Sequence, residues 1–217
     1  MVKTIIFDMD GTMFDTEPLW EKAFIKTGEE LGYPLTKELH DKTISSNQAR
    51  LATILIKELG DSFPIDEFLK KYTENMKNLI EEGLPIKKGL IELLDYLKTN
   101  DYTISIASSS DLNRIKRNLE ITNIDENIFD VIVSGENFTK GKPDPEIYLK
   151  TIELLNIDPK EIIAIEDSNS GIKAAHQAGC IPILIPDVDK INEETEKLAK
   201  YKFDSLLGVI DLLQNKK

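Results

Sequence analysis

Cysteine is almost missing from this chain. Cys180 stands alone, so no disulfide can form within it, and a reducing compartment is expected. Histidine is scarce too, with only His40 and His176, which steers the chemistry away from imidazole. No apolar run approaches the roughly 20 residues of a membrane span. The N-terminal Met1-Val2-Lys3-Thr4 leads straight into a strand-like segment, without the pattern of a signal peptide. Positive charge is in deficit: 27 Lys and Arg face 39 Asp and Glu, for a net charge of −12. A field of that sign repels nucleic acid and anionic lipid, so neither is an expected partner. An anionic substrate would need positive charge supplied locally. No G-x-G-x-x-G occurs. Gly135 to Gly141 encloses five residues where a Walker A loop needs four, and Pro143 stands where its Ser or Thr should be. The expectation is a soluble cytoplasmic protein, monomer or weak dimer.

What is present is enough for a core. Of 217 residues, 41% are apolar and 30% charged, and the length allows one large domain or one domain with a smaller insert. Thr4-Ile5-Ile6-Phe7 is short, β-branched and aromatic, and it stops at Asp8, which predicts a buried parallel strand. Similar runs cover 102–107, 131–133, 162–165 and 181–185. Between them lie helical spacings: Leu90, Ile91, Leu93, Leu94, Leu97; then Leu112, Ile115, Leu119; then Ile147, Tyr148, Thr151, Ile152, Leu155. Strands alternating with such helices predict an α/β fold, a Rossmann-like doubly wound parallel sheet.

Residues 16–83 break that rhythm. Leu51, Ile54, Leu55 and Leu59, then Ile65, Phe68, Leu69, Tyr72, Met76, Leu79 and Ile80, follow helical spacing and no strand pattern. Thr16, Thr36 and Ser46 suit helix N-caps, and Gly83 suits a helix end. The expected organisation is an α/β catalytic core over 1–15 and 84–217, with an inserted all-helical cap over 16–83. Two chain crossings would make a hinge for a lid.

Chemistry-bearing residues fall after the strands, where ligands bind in open α/β sheets. Asp8-Met9-Asp10-Gly11-Thr12 follows the first. If Gly11 turns the chain out of the strand, one aspartate can attack phosphorus. The other can give a proton to the leaving oxygen and later take one from water. Glu166-Asp167 follows the 162–165 strand. Acids beyond two strands of one sheet repel unless a cation sits between them, and hard oxygen ligands suggest Mg²⁺. Capping by Asp167 is the plainer alternative. Ser108-Ser109-Ser110 follows the 102–107 strand and opens a helix, an arrangement that suits phosphate, with Ser110 the expected cap. Lys142, in Gly141-Lys142-Pro143-Asp144-Pro145, is held between glycine and proline. It can neutralise a phosphate and the nucleophilic carboxylate together, the plainer alternative being a surface lysine in a turn. All four segments converge on one edge of the sheet.

This ordered set resembles the four motifs of the haloacid dehalogenase superfamily, and the helical insert resembles that of its beta-phosphoglucomutase-like subgroup. The resemblance covers essentially the whole chain. It implies Mg²⁺-dependent phosphoryl transfer through an aspartyl-phosphate. Asp8 is the implied nucleophile and Asp10 the implied general acid/base, while Ser108 and Lys142 hold the phosphoryl group. The implied metal set is Asp8, the Asp10 backbone carbonyl and Asp167, with Glu166 beside them. Ser109 and Trp20 are further candidate substrate contacts, Trp20 by stacking on a sugar ring or else as a core residue one turn from Phe24.

Within that family, Asp10 argues against dehalogenase activity. The mutase's histidine position holds Trp20 here, and its arginine position holds Asn47 or Gln48, with Arg50 displaced. The run Asp15-Thr16-Glu17-Pro18-Leu19-Trp20 resembles bacterial sugar-phosphate phosphatases. The expected activity is therefore hydrolysis of small phosphate monoesters, with a beta-phosphoglucomutase-type mutase as the alternative. A phospho-accepting receiver module uses a similar residue set, but it is roughly 120 residues long and has no inserted cap.

Overall fold

A computed structural model of the chain describes residues 2–44, 46, 48–188 and 190–215, with Asn137 described in its backbone alone. The chain divides into two compact units, Met1–Asp15 with Pro85–Lys217, and Thr16–Leu84.

The first unit is built on a fully parallel sheet. Its strands are β1 (Thr4–Phe7), β2 (Thr103–Ser108), β3 (Val131–Ser134), β4 (Ile162–Glu166), β5 (Ile181–Leu184) and β6 (Tyr201–Lys202), in the order β3-β2-β1-β4-β5-β6. All four residues of β1 are buried, as are all five of β4. A strand covered on both faces reads as a continuous apolar run rather than an alternation. The connecting helices are α5 (Leu90–Thr99), α6 (Leu112–Ile121), α7 (Glu146–Leu155), α8 (Asn169–Gln177), α9 (Glu193–Leu198) and α10 (Leu207–Gln214), numbered after the four helices of the other unit. Ile6, Ala107, Val133, Tyr148, Ala164, Ala174 and Cys180 share one buried cluster, which joins the strands to α7 and α8. Ile91 was grouped with the apolar stripe of α5 by spacing, yet it is exposed. The two-residue β6 is too short to leave a pattern in the sequence; it exists by pairing with β5.

Register decides what meets at the carboxyl edge. Phe7 lies beside Ile106 of β2 and Ile165 of β4. Asp8 therefore emerges next to Glu166, and the Asp8 N–H still donates to the Ile165 carbonyl at 3.0 Å. The strand order reverses between β1 and β4, the switch point at which doubly wound sheets open a crevice. After β1 the chain turns on Gly11, whose φ of 81° is left-handed. Phe14 then bridges Ile86 in antiparallel fashion, and the Asp15 N–H donates to the Pro85 carbonyl at 2.9 Å. The outgoing and returning segments are thus tied together within this unit.

The second unit is helical: α1 (Glu17–Leu31), α2 (Lys37–Asp41), α3 (Gln48–Leu59) and α4 (Ile65–Glu82). Phe24, Phe68 and Tyr72 stack or meet edge-on in its core, and the Asn75 amide donates to the Thr27 hydroxyl between α4 and α1. The Thr36 hydroxyl caps α2 by accepting from the Leu39 N–H. Thr16 occupies the cap position of α1 without a side-chain bond, and Gly83 ends α4 at a φ of 153°. No helix among the described residues is long and apolar enough to cross a membrane.

Candidate active site

Asp8, Glu166 and Asp167 lie at the ends of β1 and β4, and one carboxylate oxygen from each falls within 4.8 Å of the others. Three acids so close, and largely removed from water, are costly when charged. Burial first, with Glu166 and Asp10 adding to it, pushes the Asp8 carboxyl up to about 7 against the pull of Lys142. Burial, then the charges of Asp8 and Glu166, raises Asp167 well above the usual carboxylate range.

Lys142 supplies the cation that holds this group together. Its Nζ donates to Asp8 Oδ1 at 2.5 Å, to Glu166 Oε1 at 2.7 Å and to the Ala107 carbonyl at 3.2 Å. Burial alone would lower its pKa. The two carboxylates outweigh that and keep it above the ordinary lysine value. Tyr148, on α7, donates its hydroxyl to Glu166 Oε1 at 2.5 Å, and its ring lies 5.2 Å from Lys142 Nζ. Burial, and then the Glu166 charge, push that phenol far above its usual range, so it remains a donor.

The acid set is one a divalent cation fits. Glu166 is fully buried, and its Oε2 has no hydrogen-bond partner. A Cβ on Gly11 would come 2.3 Å from Asp167 Oδ2, so only glycine leaves that oxygen its space. Hard carboxylate oxygens in this number suit Mg²⁺.

The Asp10 carboxylate stands apart from the three. Its Oδ1 accepts from Arg114 Nη2 at 2.6 Å and its Oδ2 from the Ser110 hydroxyl at 3.0 Å. Any share that Asp10 has in a metal site therefore falls to its backbone carbonyl. Ser108, the last residue of β2, is buried, and its hydroxyl accepts from the Ser110 N–H at 3.1 Å. Ser109 is exposed. The structure corrects Ser110 as the expected cap and removes Asp167 as the alternative one. Asp111, not Ser110, caps α6 by accepting from the Arg114 N–H, which releases Ser110 to Asp10. Ser168, not Asp167, caps α8 by accepting from the Gly171 N–H, which releases Asp167 to the acid group.

Trp20 belongs to the helical unit. It is half-buried, with its ring 4.9 Å from that of Tyr72. Asn47, named above for the mutase's arginine position, lies outside the described residues; Gln48 and Arg50 are exposed on α3.

Four residues escaped the sequence analysis. Tyr148 was read as an apolar helix position, and the stripe says nothing of its hydroxyl. Arg114 sits in Arg114-Ile115-Lys116-Arg117, where nothing separates it from surface cations. Asp187 and Lys87 pair at 2.6 Å, and a Cβ on Gly11 would lie 3.2 Å from Asp187 Oδ2. Asp187 comes three residues after the end of β5, beyond Ile185 and Pro186, so a strand-end search carried past the proline would have found it.

The model of the haloacid dehalogenase-like hydrolases matches residues 5–185. The chain is 35% identical to a phosphorylated carbohydrates phosphatase of Thermotoga maritima, over 96% of this chain and 98% of that one. It is 30% identical to the beta-phosphoglucomutase of Bacillus subtilis over 84% and 82% of the two chains. The crystal structure of CbbY from Rhodobacter sphaeroides in complex with phosphate superposes with a TM-score of 0.79 at 28% identity, covering 94% of this chain and 95% of that one.

Proposed function

Because the chain belongs to the haloacid dehalogenase-like hydrolases, we propose that its substrates are small sugar phosphates and that it cleaves them with Mg²⁺ through an aspartyl-phosphate on Asp8. It is a phosphoric monoester hydrolase. In this reading 1–15 and 84–217 form the catalytic core and 16–83 the helical cap. The observation that carries the mechanism is the split between the two aspartates of one turn. Asp8 lies in the three-acid group against Lys142, while Asp10 is held outside it.

The Asp8 carboxylate attacks phosphorus. A bond forms from its oxygen to phosphorus as the ester P–O bond breaks, and Asp10 gives its proton to the departing alkoxide. Water then attacks the phospho-Asp8, the acyl-phosphate P–O bond breaks, and the water's proton goes to the Asp10 carboxylate. The Lys142 ammonium and the Ser108 hydroxyl hold the phosphoryl oxygens, with Ser109 beside them. Asp8, Asp167 and the Asp10 carbonyl would hold Mg²⁺, with Glu166 adjoining, and the ion would supply charge neutralisation at the phosphoryl group. Trp20 is proposed to contact the sugar.

The sugar-phosphate class is supported by the name of the 35% identical relative, which is a phosphatase of phosphorylated carbohydrates. The test is a panel of hexose phosphates, pentose phosphates, nucleotides and phosphoglycolate, ranked by kcat/KM with Mg²⁺, run beside Asp8→Asn. A phosphorylated sugar at the head of the ranking and no turnover by the variant are expected. A nucleotide at the head would overturn the substrate class. Activity of the variant within about tenfold of wild type would overturn the covalent route.

A further inference from the structure

We propose that Arg114 is a positioning residue for Asp10, forming with Ser110 a two-point clamp that fixes the plane of the acid/base carboxylate. The inference rests on Asp10 serving as the acid/base.

The clamp is assembled by the turn that follows β2. The Ser108 hydroxyl accepts the Ser110 N–H, which fixes the backbone just past the strand. Asp111 caps α6 by accepting the Arg114 N–H at 2.9 Å, so Arg114 is held in the first helical turn. From those two anchors the Ser110 hydroxyl reaches Asp10 Oδ2 and the Arg114 guanidinium reaches Oδ1. Each carboxylate oxygen carries two acceptor positions, so a clamp using one on each leaves one on each for substrate or water.

Stability is a poor reason for such a pair. The Asp10 and Arg114 side chains are 32% and 28% exposed, and ion pairs that open to water contribute little. Orientation is the better reason. An aspartate one residue before a left-handed glycine would otherwise sample several rotamers, and a small displacement of a reacting group is costly in rate. The contact also gives the fourth acid of the site a cation of its own, since Lys142 already serves Asp8 and Glu166.

The test compares phenyl phosphate, whose leaving group needs a proton, with p-nitrophenyl phosphate, whose leaving group barely does. Wild type, Asp10→Asn, Arg114→Ala, Arg114→Gln and the Asp10→Asn/Arg114→Ala double variant are assayed in Mg²⁺ after their thermal melts are matched. Both Arg114 variants should lose about tenfold in kcat on phenyl phosphate and much less on p-nitrophenyl phosphate, with KM unchanged. In the Asp10→Asn background, Arg114→Ala should cost nothing further. Equal losses on both esters, a rise in KM alone, or a full additional loss in the double variant would overturn the clamp. Asp10→Asn reports separately on the underlying role. If its own defect is equal for both esters, the acid assignment fails, whatever the Arg114 variants do.

Discussion

The Tyr148 hydroxyl donates to the same Glu166 oxygen that Lys142 holds, so a helix residue of the core is bonded directly into the acid group. Glu166 is fully buried and its other oxygen is unpartnered. Tyr148→Phe removes a donor from a carboxylate that has no water to turn to. The expected cost is about 1–3 kcal/mol of folding free energy, read from urea denaturation. An unchanged midpoint would show that the hydroxyl does not support Glu166.

Gly171, in the first turn of α8, faces the same carboxylate from the other side. A Cβ there would come within 3 Å of three Glu166 atoms, and Lys142 and Tyr148 leave Glu166 no slack to retreat. Gly171→Ala should therefore destabilise the fold by about 1–3 kcal/mol, the usual cost of overpacking. Gly141→Ala is the control, because a Cβ there meets nothing within 4 Å. Equal denaturation midpoints for the two variants would contradict the packing described for Glu166.

Much of this architecture was legible in the residues. Thr4–Phe7 and Ile162–Ile165 are apolar runs that end on acids, and a run that stops at a charge marks both a buried strand and its exit. Strand ends alone place Asp8, Ser108, Glu166 and Asp167 near one edge. Partner choice was not legible. Whether Ser110 or Asp111 caps α6 depends on which side chain reaches a free N–H in three dimensions, and either residue type would serve. Arg114 finds Asp10 across 104 positions of sequence, a pairing set by the β1–β2 register and not by any local pattern.

His40 offers a pH-dependent test in the helical unit. It is buried with its ring edge-on to Phe24, and its Nδ1 lies 3.7 Å from Glu17 Oε1. Burial pulls its pKa below the ordinary 6.5, against Glu21 and Asp41, which raise it; Lys37 lowers it further. The folded state therefore binds this proton less readily than the unfolded chain. Its share of stability is complete above about pH 6.5 and is lost as pH falls from there toward the depressed folded value. The gradient is at most about 1.4 kcal/mol per pH unit. Between pH 7 and 5, wild type should lose more stability than His40→Phe in the same buffer. Parallel curves for the two would remove His40 from the balance.

The last prediction separates hydrolysis from mutase action. On the proposed aspartyl-phosphate route, a mutase must present a second sugar hydroxyl to phospho-Asp8 faster than water arrives. At the position where the resemblance puts the mutase's histidine, this chain has Trp20, and that ring packs on Tyr72. Indole neither accepts a proton nor orients a hydroxyl as imidazole does. Orientation of that kind can be worth several kcal/mol of barrier, so its loss hands the phospho-enzyme to water. Given beta-glucose 1-phosphate and Mg²⁺, the protein should release inorganic phosphate and form little glucose 6-phosphate. Added bisphosphate primer should leave the ratio unchanged, because a primer supplies phosphoryl groups and not orientation. Coupled assays for free phosphate and for glucose 6-phosphate on the same sample decide the matter. Glucose 6-phosphate accumulating ahead of phosphate would make the chain a mutase, with the Asp8 chemistry intact and only the acceptor changed.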